Sequence, residues 1–154
     1  MSQVEEKLKE LGYTLPSPPA SVANYIAGYR IGNVVFLSGV APTKEDGTAI
    51  TGKVGRELTV EQGYEAARYC ALNSLANLKT VIGDLNKVTH FVKVLGMVNA
   101  DPEFDEMPAV INGYSDLLVE AFGERGRHAR SAVGMATLPF GIAVEVEAIV
   151  EVEE

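Results

Sequence analysis

A single cysteine, Cys70, rules out an internal disulfide, so a reducing compartment is the default expectation. No stretch approaches the ~18 uninterrupted apolar residues that a membrane helix needs. The opening MSQVEEKLKELG is charged and amphipathic, unlike the apolar core of a signal peptide. A cytoplasmic location without a membrane partner is therefore expected. The chain has no Walker loop, no dinucleotide glycine fingerprint after a strand and no Gly-x-Ser-x-Gly elbow. Its two histidines, His90 and His128, lack a carboxylate or thiol at metal-ligand spacing, so no metal site is expected. Positive charge is scarce as well: 13 basic against 21 acidic residues give a net charge of −8. Such a chain repels phosphate backbones at long range, which disfavours nucleic acid as a general partner.

What is present is an ordinary globular balance, 47% hydrophobic and 22% charged over 154 residues. That length fits one domain, 1–154, able to bury a core without disulfides or a structural metal. Residues 1–20 read as an N-terminal helix and a proline-rich connector. Val4, Leu8 and Leu11 have helical spacing up to Gly12, and the proline-rich TLPSPPAS that follows is an extended connector. Segments 24–29 and 33–40 read as a hairpin with a tight turn between them, and 43–57 as a polar loop.

The clearest helix runs from Thr59 to Ile82. Thr59 and Gln62 make a capping box, an apolar stripe runs from Val60 to Ile82, and Gly83 is the stop. Val88 to Val98 is apolar on both alternating faces, as in a strand buried in a sheet. A second helix starts near Pro108 and ends at Gly123. Strands are expected at 131–138 and 143–152, joined by a turn at Pro139-Phe140-Gly141. The last of these alternates Val144, Val146, Ala148, Val150 and Val152 with Glu145, Glu147, Ile149 and Glu151. The simplest architecture is α+β, with two long helices on one face of a mixed sheet. A second face bearing Glu145 and Glu147 is either solvated or covered by a partner subunit that supplies donors, which makes self-association an expectation.

The one basic cluster is Arg125, Arg127, His128 and Arg130, placed by the sequence in a loop before a strand. A guanidinium there can grip a carboxylate with two parallel hydrogen bonds, as Lys cannot. A solvated turn serving solubility is the other reading, and for Arg130 both stay open. Glu145 is either a general base or a surface glutamate on an alternating strand. If strands 131–138 and 143–152 form a hairpin, Arg130 comes near the far part of the second strand. Tyr25 and Ser38 are hairpin residues of the same ambiguous standing. Cys70 is offset from the stripe of its helix and reads as a packing or border residue, and His90 as a satisfied structural histidine.

The stretch ARSAVGMATLP followed by AVEVEAIVEV resembles the C-terminal signature of the RidA/YjgF family of enamine/imine deaminases, and NYIAGYRIGNVVFLSGVAP is similar to its N-terminal hairpin. The resemblance spans roughly residues 20–152. It implies a chorismate-mutase-like α+β fold, a homotrimer with sites in the clefts between subunits, and hydrolysis of intermediates such as 2-aminoacrylate without cofactor or metal. It also implies a small carboxylate-bearing metabolite as partner, with Arg130 binding its carboxylate, Glu145 positioning water, and Tyr25 and Ser38 lining the pocket. Four positions depart from the family pattern: Ala132 stands where a cysteine is usual, Ile111 where an asparagine is expected, and Gly134 and Phe140 replace polar residues. Ala132 and Ile111 raise the alternative of a non-catalytic metabolite-binding or regulatory protein using the same cleft, and the resemblance also brings the less expected reading of an endoribonuclease or translation inhibitor.

Overall fold

The computed structural model describes residues 2–18 and 23–154. Ser2 caps the short helix α1 (Gln3–Glu10), its hydroxyl accepting from the amide of Glu5. Val4 and Leu8 lie one turn apart and are both buried, so α1 joins the core. The expected hairpin forms, but later in the chain: β1 is Gly28–Ile31 and β2 is Val34–Val40. Arg30 belongs to the strand rather than the turn, which is made by Gly32 and Asn33. Residues 24–27 precede the strand, and the end of the proline-rich connector, 19–22, lies outside the described residues.

Helix α2 (Val60–Ile82) starts at a complete Thr59/Gln62 capping box and ends at Gly83, whose φ of 83° suits a residue without a β-carbon. The apolar stripe understates its burial, because every residue from Cys70 to Leu78 is buried. Cys70 is therefore a core residue and not a border one. Strand β3 (Val88–Asn99) follows, then α3 (Met107–Phe122) with Pro108 in its first turn. Segment 124–130 is not one loop. A 3₁₀ turn covers Gly123–Gly126, and β4 (Ala129–Met135) already contains Arg130. Strand β5 (Val144–Val152) alternates as its sequence predicts.

The five strands form one mixed sheet in the order β1-β2-β5-β3-β4. Strands β4 and β5 are not a hairpin. Strand β4 runs parallel to β3 on the sheet edge, while β5 inserts antiparallel between β2 and β3. The reason lies in β5 itself. Its valines on one face complete the core beneath α2, a central position that an edge strand could not bury. Helices α2 and α3 pack against each other and cover the face carrying Val144, Val146, Ala148, Val150 and Val152. The helix-free face carries Glu145, Glu147, Ile149 and Glu151.

Candidate functional site

Strand register decides which candidate residues can meet. Directly paired residues in neighbouring strands project to the same face of a sheet. Arg130 pairs with Val94, and Val94 with Ala148; both partners are buried beneath the helices. Arg130 therefore leaves the helix-covered face at its open edge. Glu145 pairs with Met97, which pairs with Val133, on the helix-free face. Within one chain, Arg130 and Glu145 sit on opposite faces of the sheet.

Glu145 lies in a cavity of about 270 Å³ that also takes in Tyr25, Ser38, Asn73, Asn77 and Phe140. A bulge in β2 builds it: between Leu37 and Val40 the register with β5 slips by one residue, at Ser38-Gly39. The glycine lets the Glu145 carboxylate lie against the β2 backbone. The Ser38 hydroxyl donates to the carbonyl of Ile26 at 2.6 Å, and its amide donates to Ala27 at 2.9 Å. Those bonds pin the segment carrying Tyr25 to the cavity wall and leave the Ser38 oxygen able to accept but not to donate. Desolvation, and then the neighbouring charge of Glu147, raise the pKa of Glu145 above the usual carboxylate value. A carboxyl shifted in that direction is better matched to taking a proton from water near neutrality.

Arg130 lines a shallow groove with Asn112, Ser115, Asp116, Arg127 and His128. Its Nη1 donates to the Ser115 hydroxyl at 2.9 Å and its Nη2 to the Pro108 carbonyl at 3.4 Å, both on α3. Five N–H groups with two committed leave three for a ligand. Ala132 follows on the same face, paired with Gly96 and packed against the core, so it is apart from the Glu145 cavity. Buried Ile111 fills the space above Gly96, which makes it a packing residue. His90 is exposed rather than enclosed, and its Nε2 is 2.6 Å from the Arg127 carbonyl. Arg127 points outward with Glu124 3.9 Å away. Arg125 donates to the Val88 carbonyl at 2.9 Å, a structural tie.

Sequence reasoning missed Asn73 and Asn77, only 2% and 5% exposed. Two asparagines four apart in a helix buried on all sides would have been the signal. Asn73 donates to the carbonyls of Ala41, Thr43 and Tyr69. The buried Asn77 Oδ1 has no partner among the described residues. No cluster of three or more metal-binding side chains occurs among the described residues, and no helix among them is long and apolar enough to cross a membrane.

A mixed five-stranded sheet with two long helices on one face and a cavity at a β2 bulge defines a class of small α+β proteins. The chain belongs to the family described as "YjgF/chorismate_mutase-like, putative endoribonuclease", whose model matches residues 5–151. It is 45% identical over 150 residues to Protein TCP17 of Trypanosoma cruzi, covering 97% of this chain and 94% of that one. It is 29% identical over 131 residues to the 2-iminobutanoate/2-iminopropanoate deaminase of Escherichia coli K12, covering 85% and 89%. A crystal structure of a protein from Agrobacterium tumefaciens matches with a TM-score of 0.92 at 46% identity, covering 98% of this chain and 93% of that one.

Proposed function

We propose that the chain hydrolyses small 2-imino or 2-enamino acids at a site shared between two copies. One copy supplies Arg130 to bind the carboxylate, and its neighbour supplies Glu145, Tyr25 and Ser38. The observation that carries this reading is Glu145, a carboxyl of raised pKa in a concave pocket, held there by the Ser38-Gly39 bulge. A surface glutamate on an alternating strand needs no such enclosure. Because Arg130 and Glu145 occupy opposite faces of one sheet, a single chain cannot bring both to one small substrate.

Self-association in a trimer is supported by the helix-free face. Tyr29, Phe36 and Ile149 form one cross-strand row there, and Ile31 and Val34 another. Tyr29, Ile31 and Phe36 are among the most exposed large hydrophobic residues of the chain, and an apolar surface of that kind is costly to leave in water.

In the reaction, the Arg130 guanidinium fixes the substrate carboxylate, so that the C=N carbon faces a water beside Glu145. Glu145 takes a proton from that water as its oxygen bonds to the carbon. That proton passes to the nitrogen, giving a carbinolamine. Glu145 then takes the hydroxyl proton as the C=O bond forms and hands it to the nitrogen as the C–N bond breaks, releasing ammonia and leaving a 2-oxo acid. Orientation supplies most of the acceleration, since well-placed groups gain up to about 7–11 kcal/mol in ideal cases. Residues of the chain suffice for these steps.

The test is complementation. Arg130→Ala and Glu145→Gln should each release no ammonia above background from dehydratase-generated 2-aminoacrylate. Unfolded together and refolded as mixed oligomers, they should regain activity, because about a quarter of randomly assembled sites would pair an intact Arg130 with an intact Glu145. Wild-type turnover by Arg130→Ala would refute the proposal.

A metabolite-binding role without turnover is the second reading, favoured by Ala132, which leaves no thiol beside Arg130. Carboxylate-dependent thermal stabilisation without ammonia release would establish it. Action on RNA finds less support in a chain of net charge −8.

A further inference from the structure

The Arg130 side chain does not stand alone in its groove. Its Nη1 donates to the Ser115 hydroxyl at 2.9 Å, and the same oxygen is 2.8 Å from Nε2 of His128. On the far side of the ring, Nδ1 is 2.7 Å from the carbonyl of Gly126. A carbonyl can only accept, so Nδ1 carries the ring proton, and Nε2 offers a lone pair. Facing that lone pair, the Ser115 hydroxyl donates its hydrogen to His128 while its oxygen accepts from Arg130. Only one direction of hydrogen bonding satisfies every group, from Arg130 through Ser115 and His128 to Gly126.

The geometry points to Ser115 and His128 as positioning residues that lock the Arg130 guanidinium for carboxylate capture. This inference rests on the reading of Arg130 given above and extends it to two residues outside the expected site. Three features support it. Ser115 comes from α3, His128 from the turn before β4 and Arg130 from β4, so the chain of bonds ties three elements together. His128 is partly buried, and desolvation first, followed by repulsion from Arg130 and His90, lowers its pKa, which keeps Nε2 unprotonated near neutral pH. The acidic residues of the groove do not compete for the guanidinium. Asp116 accepts from Tyr64 at 2.8 Å, and no hydrogen bond or ion pair joins Glu120 to Arg130 among the described residues. Without Ser115, an arginine with four rotatable side-chain torsions would lose its best anchor, leaving only the longer contact to Pro108.

Steady-state imine hydrolysis by the full chain tests this, with Arg130→Ala as reference. Ser115→Ala should raise KM for 2-aminoacrylate roughly tenfold, the scale of one hydrogen bond to a charged group, while kcat stays within about twofold. Ser115→Thr keeps the hydroxyl and should restore KM. His128→Leu should raise KM similarly, and the Ser115→Ala/His128→Leu double variant should be no worse than either single one, as expected for groups acting as a unit. Nitrogen NMR of the wild type should show His128 as the Nδ1–H tautomer.

A wild-type KM in Ser115→Ala, with Arg130→Ala inactive, would overturn the positioning pair alone. Full turnover in Arg130→Ala would overturn the reading beneath it as well. An Nε2–H tautomer in the wild type would overturn the bond direction on which the pair depends.

Discussion

A β-carbon placed on Gly39 would sit 2.5 Å from Oε2 of Glu145 and 3.0 Å from its carboxyl carbon. The glycine and the glutamate occupy one space that two side chains cannot share. Gly39→Ala should therefore push the Glu145 carboxylate out of its cavity while leaving the sheet intact, because the bulge already separates the strands at that point. Imine hydrolysis should fall at least tenfold, about 1.4 kcal/mol in barrier height, with an unchanged far-ultraviolet CD spectrum. Unchanged turnover would show that the observed position of Glu145 does not matter to the chemistry.

The same glutamate should weaken the fold at neutral pH. Burial and Glu147 raise its pKa in the folded chain, so the native state holds a proton that the unfolded chain has already released. Between the unfolded and folded values the native state binds more protons, and stability therefore falls as pH rises through that window. Its stabilising contribution is complete below the unfolded value and lost above the folded one. Glu145→Gln removes the charge and should melt higher than wild type at pH 8, with the gap closing as pH falls toward 4. Parallel melting curves at both pH values would contradict the shift.

The packing of α2 against α3 turns on Gly113, where an added β-carbon would lie 2.0 Å from the Tyr64 carbonyl oxygen. Alanine is the better helix former by about 1 kcal/mol, but that gain is small beside a collision with rigid backbone. Overpacking of this kind costs about 1–3 kcal/mol, and because the obstacle here is a main-chain atom the upper end applies. Gly113→Ala should lower Tm by roughly 4–8 °C, the amount expected for a net loss of about 2 kcal/mol in a chain of this size. Calorimetry of the variant decides it.

Local signals in the sequence translate directly into local structure. The Thr59/Gln62 box starts α2, Gly83 and Gly123 end the two long helices, and the valine-glutamate alternation of β5 fixes both of its faces. Strand partners were not legible in the same way. The short Pro139-Phe140-Gly141 turn suggests a hairpin, yet Phe140 adopts φ 58° there and the chain leaves the sheet edge at β4 to enter its middle at β5. Pairing is settled by which strand can bury its apolar face, a property of the whole sheet rather than of any turn. The candidate site divides the same way: Tyr25, Ser38 and Glu145 come together, while Arg130 and Ala132 lie on the opposite face. Ser115 was not legible because only the crossing from α3 to β4 brings it beside Arg130 and His128, which the sequence already places in one cluster.

The helix-free face is where the proposed assembly is most exposed to test. Phe36 in β2 is the middle residue of one row there, in register with Tyr29 on one side and Ile149 on the other, and 45% of its surface is open to solvent. Phe36→Asp places a charge in that row without touching the core, since its neighbours Val35 and Leu37 point to the helices. In a free monomer the change should cost little, because charged residues are ordinary on exposed strands. In an oligomer built on this face it buries an unpaired carboxylate, which costs several kcal/mol and should dissociate the assembly. Light scattering should show a trimer for the wild type and a monomer for Phe36→Asp, with imine hydrolysis lost in the monomer although Arg130 and Glu145 are both intact. If both proteins scatter as monomers and the wild type is active, a single chain must complete the site, and two residues on opposite faces of the sheet could not be its centre.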